Sequence, residues 1–561
     1  MPKKILFFSF LLFSFFKNQA QDNLHRPMDI PFYLSGTFGE LRGNHFHSGM
    51  DIKTQGEEGL KVYSIEDGYV YRIKISAKGY GKALYIKHPS GIISVYAHLK
   101  SFNDKIENYI RKKQYKKKSF EIEVFPYKIE LPVKKGEIIA YSGNTGSSSG
   151  PHLHFEIRDM NEHPLNPANF GIKIKDTVKP VLRGLFAYTL DSVSHINQVQ
   201  GRIPLFFHKK NDSTYAVDPV IAYGKIGFGV DVYDRQNNSY SRNGVYKINL
   251  KMNGSSVYEH VLDELNFYTS HYINTFIDYP YYKTKYRRIQ KLFVEPYNRL
   301  EIYTHLVNDG ILNIKNNKTY YFKISIADVN KNRIYIEIPV RGINTKIVEK
   351  EKKYNTPYRV KADKKNEFDF KKLKIIVPKN AAYYDFYLKY KPFQYGFSLQ
   401  NYDIPLRKSI IIKYNIKGVT PSWKKKIYLG RKGRGGKVYY TASKVKNDTL
   451  IAYTKIFGDY RLAFDSIAPK IFPLNFKPKK NLTDYKRLQF DVWEKESGIK
   501  TYNGYIDGEW ILLEYESKNH TLTYHFSDKK LKGYKHSLKI VVTDKVGNKG
   551  IYQTYFYRKN K

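Results

Sequence analysis

The 561-residue chain contains no cysteine. Disulfides are therefore excluded, and so is a bacterial lipoprotein anchor, which attaches to a cysteine behind the signal peptide. Acidic side chains are scarce: 52 Asp and Glu against 96 Lys and Arg give a formal charge of +44. Long hydrophobic runs are missing too. The most apolar stretch, Ile5 to Phe16, falls short of the roughly twenty residues that a membrane span needs. It follows Lys3-Lys4 and precedes Asn18-Gln19-Ala20, the layout of a secretory signal peptide over residues 1–20. An exported protein is expected, in periplasm, at the cell surface or in the medium, with neither membrane span nor lipid anchor. Without cross-links, stability must come from hydrophobic cores, and 41% hydrophobic content over this length supplies several.

The positive charge admits two readings. It draws the protein to a polyanion, or its lysines simply cover solvated faces. The densest tracts are Arg111 to Lys118 and Arg431 to Arg434. No nucleic-acid recognition motif accompanies them, and the chain carries an export signal, so nucleic acid is not an expected partner.

What is present is histidine in two telling places: His47-Ser-Gly-Met-Asp51 and Pro151-His152-Leu-His154-Phe-Glu156. On an extended strand, residues i, i+2 and i+4 share a face. His47 and Asp51 are then expected to reach one cavity from one strand, and His152 and His154 from another. Zinc takes imidazole and carboxylate ligands, and a catalytic site keeps three of them and an open position. Two histidines and an aspartate suit it and leave histidines over. A further one, His98, stands in Tyr96-Ala-His98-Leu99. Histidine is the side chain that moves protons near neutral pH, which amide hydrolysis requires. His45 competes with His47 for the ligand role, although the spacing to Asp51 favours His47.

Other segments join these: Gly36-Thr-Phe-Gly39, the Asp67-Gly68 turn, Gly79-Tyr-Gly81, Val133 to Ala140 and the loop Gly143 to Pro151. Together they resemble the active-site motifs of the LytM/lysostaphin-type zinc metallopeptidases, which cut the peptide part of peptidoglycan. The resemblance covers roughly residues 32–171, about a quarter of the chain. It implies one zinc ion per chain held by His47, Asp51 and His154, with His98 and His152 as the catalytic pair and no other cofactor. The stretch Asn103 to Lys128 exceeds the family's usual short connection.

The fold class expected is mainly β: a compact β-sheet metallopeptidase domain over residues 27–172, then several β-sandwich-like modules. Asp176-Thr-Val-Lys-Pro180 recurs as Asp465-Ser-Ile-Ala-Pro469, and Phe322 to Asp328 as Leu538 to Asp544. Two modules of one immunoglobulin-like type are expected at 176–342 and 465–561, with a β-rich module at 343–464 between them. Asn103 to Tyr115 is the one helical candidate in the first domain, read as facing solvent with one apolar stripe. A fragment ending near Asp176 is expected to fold alone and bind zinc.

The expected function is hydrolysis of peptide cross-links in peptidoglycan, with peptidoglycan peptides as substrate. The rival is a non-catalytic envelope protein that binds peptidoglycan or activates another hydrolase, its β modules meeting envelope partners.

Overall fold

The computed structural model describes residues 24–172, 174–351 and 354–559. The expected signal peptide, residues 1–20, lies outside them. The chain is mainly β, as the strand patterns predict. Among the described residues no helix is long and apolar enough to cross a membrane.

The first domain is built on strands β1 (Leu34–Gly36), β2 (Met50–Lys53), β3 (Lys61–Tyr63), β4 (Gly68–Ile75), β5 (Lys82–Lys87) and β6 (Ile93–Leu99). They are followed by β7 (Ser101–Phe102), β8 (Ile122–Val124), β9 (Pro132–Val133), β10 (Ile138–Tyr141), β11 (His152–Arg158) and β12 (Pro164–Leu165). The main sheet runs β1-β2-β11-β6-β5-β4-β8, with β12 on β11 and β9 on β4, and a small sheet runs β3-β10-β7. β11 explains the arrangement. Its Leu153, Phe155 and Ile157 are fully buried in the apolar core, so the alternating His152, His154, Glu156 and Arg158 share the opposite face. That single alternation puts a polar row in the middle of a sheet.

The three later regions are all β. Residues 181–342 form a thirteen-stranded assembly around Val230, Ile248, Phe322, Ile324 and Ile336. Two five-stranded sheets between 366 and 464 share a core of Ile375, Ile412, Leu429 and Ala452. Residues 470–557 form two four-stranded sheets facing each other across Phe490, Val492, Ile540 and Val542. The strand order Ser255–Val261, Lys247–Met252, Thr319–Ala327, Arg333–Gly342 repeats as Glu509–Ile511, Ile499–Ile506, Lys535–Asp544, Lys549–Tyr557. The recurring sequence segments thus occupy matching strands.

The first domain does not stand alone. Leu512, 1% exposed, belongs to the same apolar cluster as Val70, Leu84 and Ile106, and Trp510 and Tyr515 pack beside it. The helix Asp104–Lys117, capped by Asn103, buries Ile106 and Ile110 in that core. Its other flank is covered by the last module rather than by solvent: Tyr115 lies edge-on to Trp510 at 5.5 Å, and Arg111 pairs with Asp528 at 3.0 Å. Lys82 meets Glu514 at 3.0 Å. Burial would raise the Glu514 carboxyl, but Lys82 and Arg111 hold it down at about 2. The sequence pattern identified the helix's apolar stripe and missed its partner, because the partner is some four hundred residues away in the chain.

This docking changes the expectation for the fragment. Removing residues 465–561 strips the cover from a core that Leu512 completes. Leu512→Ala should cost about 2–5 kcal/mol, as for other large buried aliphatic truncations. The fragment ending near Asp176 should melt well below the full chain. Equal melting midpoints for the fragment, the variant and the parent would contradict the shared core.

Candidate active site

Asp51 on β2 sits directly opposite His154 on β11 in the ladder, and His154 opposite Ala97 on β6. Cross-strand neighbours on one face are close enough to interact, and His154 Nδ1 lies 2.8 Å from Asp51 Oδ1. His47 arrives differently from the expectation. It precedes β2 instead of lying on it, in a loop where Gly39 N bonds His47 O and His47 N bonds Glu40 O. The chain bends at Gly49, where any Cβ would stand 2.2 Å from the Phe155 carbonyl oxygen. His47 and Asp51 converge through that bend, and strand alternation has no part in it. His47 Nε2 then lies 3.1 Å from both Asp51 Oδ1 and His154 Nδ1.

These three atoms form a compact acceptor triangle of the kind that holds a metal. A tetrahedral zinc shell with bonds of about 2.0–2.1 Å separates its ligand atoms by about 3.3 Å. Two imidazole nitrogens and one carboxylate oxygen at 2.8–3.1 Å from one another fit that donor set. His45 is exposed, pairs with Asn44, and lies outside the triangle.

Each donor is held from behind. His47 Nδ1 donates to the Thr37 carbonyl at 2.8 Å, which leaves Nε2 as the lone pair. Asp51 Oδ2 accepts from Arg42 at 3.0 Å, which leaves Oδ1 for the triangle. His154 Nε2 meets Glu156 Oε1 at 2.7 Å. Such carboxylate–imidazole pairs fix the ring and raise its basicity as a ligand. Glu156 is fully buried and also takes Ser48 at 2.7 Å, Tyr80 and Arg158 Nε at 2.6 Å. Burial would raise its pKa, but the Arg158 charge and the His154 contacts hold the carboxyl well below the usual range. Asp51 is likewise held low, the imidazoles of His47, His152 and His154 around it outweighing burial. His154 is pushed up to about 9, because the bonds to Asp51 and Glu156 outweigh burial. A proton on His154 Nδ1 sits where a cation would, so metal uptake should release it.

Glu156 and Tyr80 are the residues that sequence reasoning left without a role. The signal was present: Glu156 is the third member of the alternating polar row on β11. We predict that Glu156→Gln weakens metal affinity by roughly 10–100-fold while the fold persists. Unchanged affinity in a zinc competition titration would show that Glu156 is only a buried ion-pair partner of Arg158.

His98 and His152 flank the triangle. Their ring centroids are 4.8 Å apart, and His98 lies 5.9 Å from His154. His152 Nε2 is 3.4 Å from Asp51 Oδ1. His98 Nδ1 bonds the Thr145 carbonyl at 2.9 Å and His152 Nδ1 the Gly150 carbonyl at 2.9 Å. A carbonyl only accepts, so both Nδ1 atoms carry hydrogen, and in the neutral ring Nε2 is then the lone pair. Burial, with His154 and His152 nearby, lowers His98 to about 3 and keeps it neutral at rest. His98 also has φ = 59°, uncommon for a side chain with a Cβ, where the β5–β6 register shifts. The carbonyl that holds it comes from the glycine loop: Gly146, at φ = 73°, packs against Gly79 and Gly81 so closely that a Cβ would lie 2.4 Å from backbone atoms. The loop is a positioning device for both histidines.

The fold and site thus define a class: an antiparallel β-sheet domain with a three-donor metal cluster and two free imidazoles. Residues 45–115 and 123–167 match the model of peptidase family M23, which shows the likeness read from the motifs. Residues 357–465 match the model of the Zu5-like domain. The DD-carboxypeptidase/endopeptidase Mpg of Neisseria meningitidis is 32% identical over 126 residues, covering 22% of this chain and 23% of that protein. The murein hydrolase activator NlpD of Escherichia coli K12 is 34% identical over 122 residues, covering 22% of this chain and 25% of that protein. The chain spans about a quarter of the length of these curated relatives. Among solved structures, the catalytic domain of lysostaphin from Staphylococcus simulans is 23% identical, covering 25% of this chain and 93% of that one, with TM-score 0.20. A zinc-containing peptidase from Vibrio cholerae is 26% identical, covering 28% and 41%, also with TM-score 0.20.

Proposed function

We propose that this chain is an exported zinc-dependent endopeptidase that hydrolyses peptide cross-links of peptidoglycan, with one zinc ion per chain. The observation that carries the reading is the pair of imidazoles with bare Nε2 atoms beside a three-donor cluster. In this reading His47 Nε2, Asp51 Oδ1 and His154 Nδ1 hold the metal. Zinc so held supplies a Lewis acid and an acidified water. His98 and His152 are the catalytic histidines, and both begin as bases. His152 Nε2, nearer to Asp51, takes the proton of the attacking water and delivers it to the leaving amine. His98, neutral at rest, shares that one proton: the ring that has taken it from the water is the one that can face the charge growing on the scissile carbonyl oxygen. The signal-peptide layout of residues 1–20 supports export, and with it a wall substrate.

The second reading is an activator without chemistry of its own, favoured by the likeness to NlpD. Incubating the zinc-loaded chain with purified sacculi and analysing the released muropeptides by mass spectrometry separates the two. Cross-linked dimers should fall as their monomers rise. Bound zinc with no change in any muropeptide would favour the activator.

A further inference from the structure

A second group of acidic side chains lies outside the active site, at the end of the 181–342 assembly that faces the peptidase domain. Asp176 precedes the strand Val181–Thr189, Asp234 follows Val220–Tyr233, and Asp328 follows Thr319–Ala327. One carboxylate oxygen from each lies within 4.8 Å of the others. Three carboxylates converging without a cation repel one another. Among the described residues, no lysine or arginine forms an ion pair with any of them. Asp234 is 4% exposed, and its Oδ1 is buried with no hydrogen-bond partner. A cavity of about 30 Å³ opens beside Asp234 and Asp328, bounded across the domain junction by Leu34, Thr37 and Met50. That exceeds the roughly 10–15 Å³ that one small occupant needs.

The last module supplies an internal comparison. Asp465, Glu494 and Asp544 occupy the matching places around the strands Lys470–Pro473, Arg487–Trp493 and Lys535–Asp544. There the charges are met by donors from the chain: Ser497 N bonds Asp465, Glu496 N and Gly498 N bond Glu494, and Asn548 bonds Asp544. Asn332 answers Asp328 in the same manner, but Asp234 Oδ1 is left without a donor. The two ends share a plan, and the first has one acceptor too many.

We propose that Asp176, Asp234 and Asp328 bind a hard divalent cation, calcium in preference to magnesium, at the junction of the peptidase domain and the first β module. All-oxygen donors select hard cations, and calcium tolerates the irregular shell that carboxylates on three separate loops provide. Left bare, Asp234 is pushed up to about 9 by burial and by the charges of Asp328 and Asp176, so protons are the competing occupants. The site has a route to the catalytic centre. Gly244 N bonds Thr37 Oγ1 at 3.0 Å, and the Thr37 carbonyl accepts from His47 Nδ1. Gln236, two residues after Asp234, bonds both Phe32 O and Leu34 N. The cation's role is to fasten this seam, and it does not depend on whether the peptidase site is catalytic.

Terbium luminescence on the zinc-loaded full chain tests the site, with Tyr246 on the cavity wall as the antenna. Saturable emission should appear, be displaced by calcium at lower concentration than by magnesium, and be accompanied by a calcium-dependent rise in melting midpoint. Asp234→Asn should weaken terbium binding at least tenfold and abolish the rise, and Asp328→Asn should do the same. Asp544→Asn, in the matching place of the last module, should leave both unchanged, and zinc content should be constant throughout. Absence of calcium-displaceable emission in the parent protein would overturn the proposal. Equal binding by parent, Asp234→Asn and Asp328→Asn would overturn it too, leaving shared protons as the occupants or placing the ion at the Asp159, His163 and Glu264 group.

Discussion

Replacing His47, Asp51 or His154 by alanine should remove zinc from the chain and all cross-link hydrolysis with it. The three donor atoms are 2.8–3.1 Å apart, and a three-ligand site that loses one ligand holds metal too loosely to retain it through purification. Asp51→Ala should have a second effect, because Arg42, which bonds the outer carboxylate oxygen, is left with Glu40 alone of its two acidic partners. His45→Ala should keep full metal and activity, since His45 lies outside the cluster. Atomic absorption on the four purified variants decides the matter. Full zinc in Asp51→Ala, or lost zinc in His45→Ala, would contradict the ligand set.

The second large effect separates chemistry from metal binding. His98→Ala and His152→Ala should each retain zinc and lower turnover by roughly 100-fold or more. Neither side chain belongs to the donor triangle, and each presents a bare Nε2 because a backbone carbonyl takes its Nδ1 hydrogen. Parent-rate cleavage of sacculi by either variant would remove that histidine from the mechanism. The two should not be additive: both rings act on the same proton in one cycle, so the double variant should lose little beyond the worse single one.

The site was more legible in the sequence than the fold around it. Histidine alternation in His152-Leu-His154 became a strand face because Leu153 and Phe155 had a core to enter, and the pattern carries both facts at once. His47 comes to Asp51 by a different route from the one its spacing suggested: a bend at Gly49, packed against the Phe155 carbonyl, does what strand periodicity was expected to do. Arg158 reaches Glu156 from the same strand face, whereas Tyr80 meets it from a separate segment, and no local pattern announces that meeting. Docking of the last module was illegible for the same reason. Leu512 reads as one more strand residue until the chain returns to cover the helix Asp104–Lys117. The repeated Asp-x-x-x-Pro segments and the recurrence of Phe322 to Asp328 as Leu538 to Asp544 foretold matching strands, whereas the unmet acceptor on Asp234 appears only once three loops are brought together.

These inter-module contacts bear on function. Phe46 N bonds Ser270 in the 181–342 region, and Lys518 of the last module bonds carbonyls at Asn144 and Ser148 in the glycine loop. The loop carrying His47 and the loop aiming His152 are thus braced by two different downstream regions. Rigid support of this kind keeps catalytic groups within productive geometry.

Digestion of cross-linked muropeptide dimers in heavy-oxygen water tests the central claim most directly, because hydrolysis must place a solvent oxygen in the new carboxyl group. The zinc-loaded protein should release monomers in which the freed acyl end carries one heavy oxygen atom, and the His152→Ala protein, with zinc still bound, should release almost none. Dimers left intact by zinc-loaded protein, or monomers released equally by His152→Ala, would contradict the account.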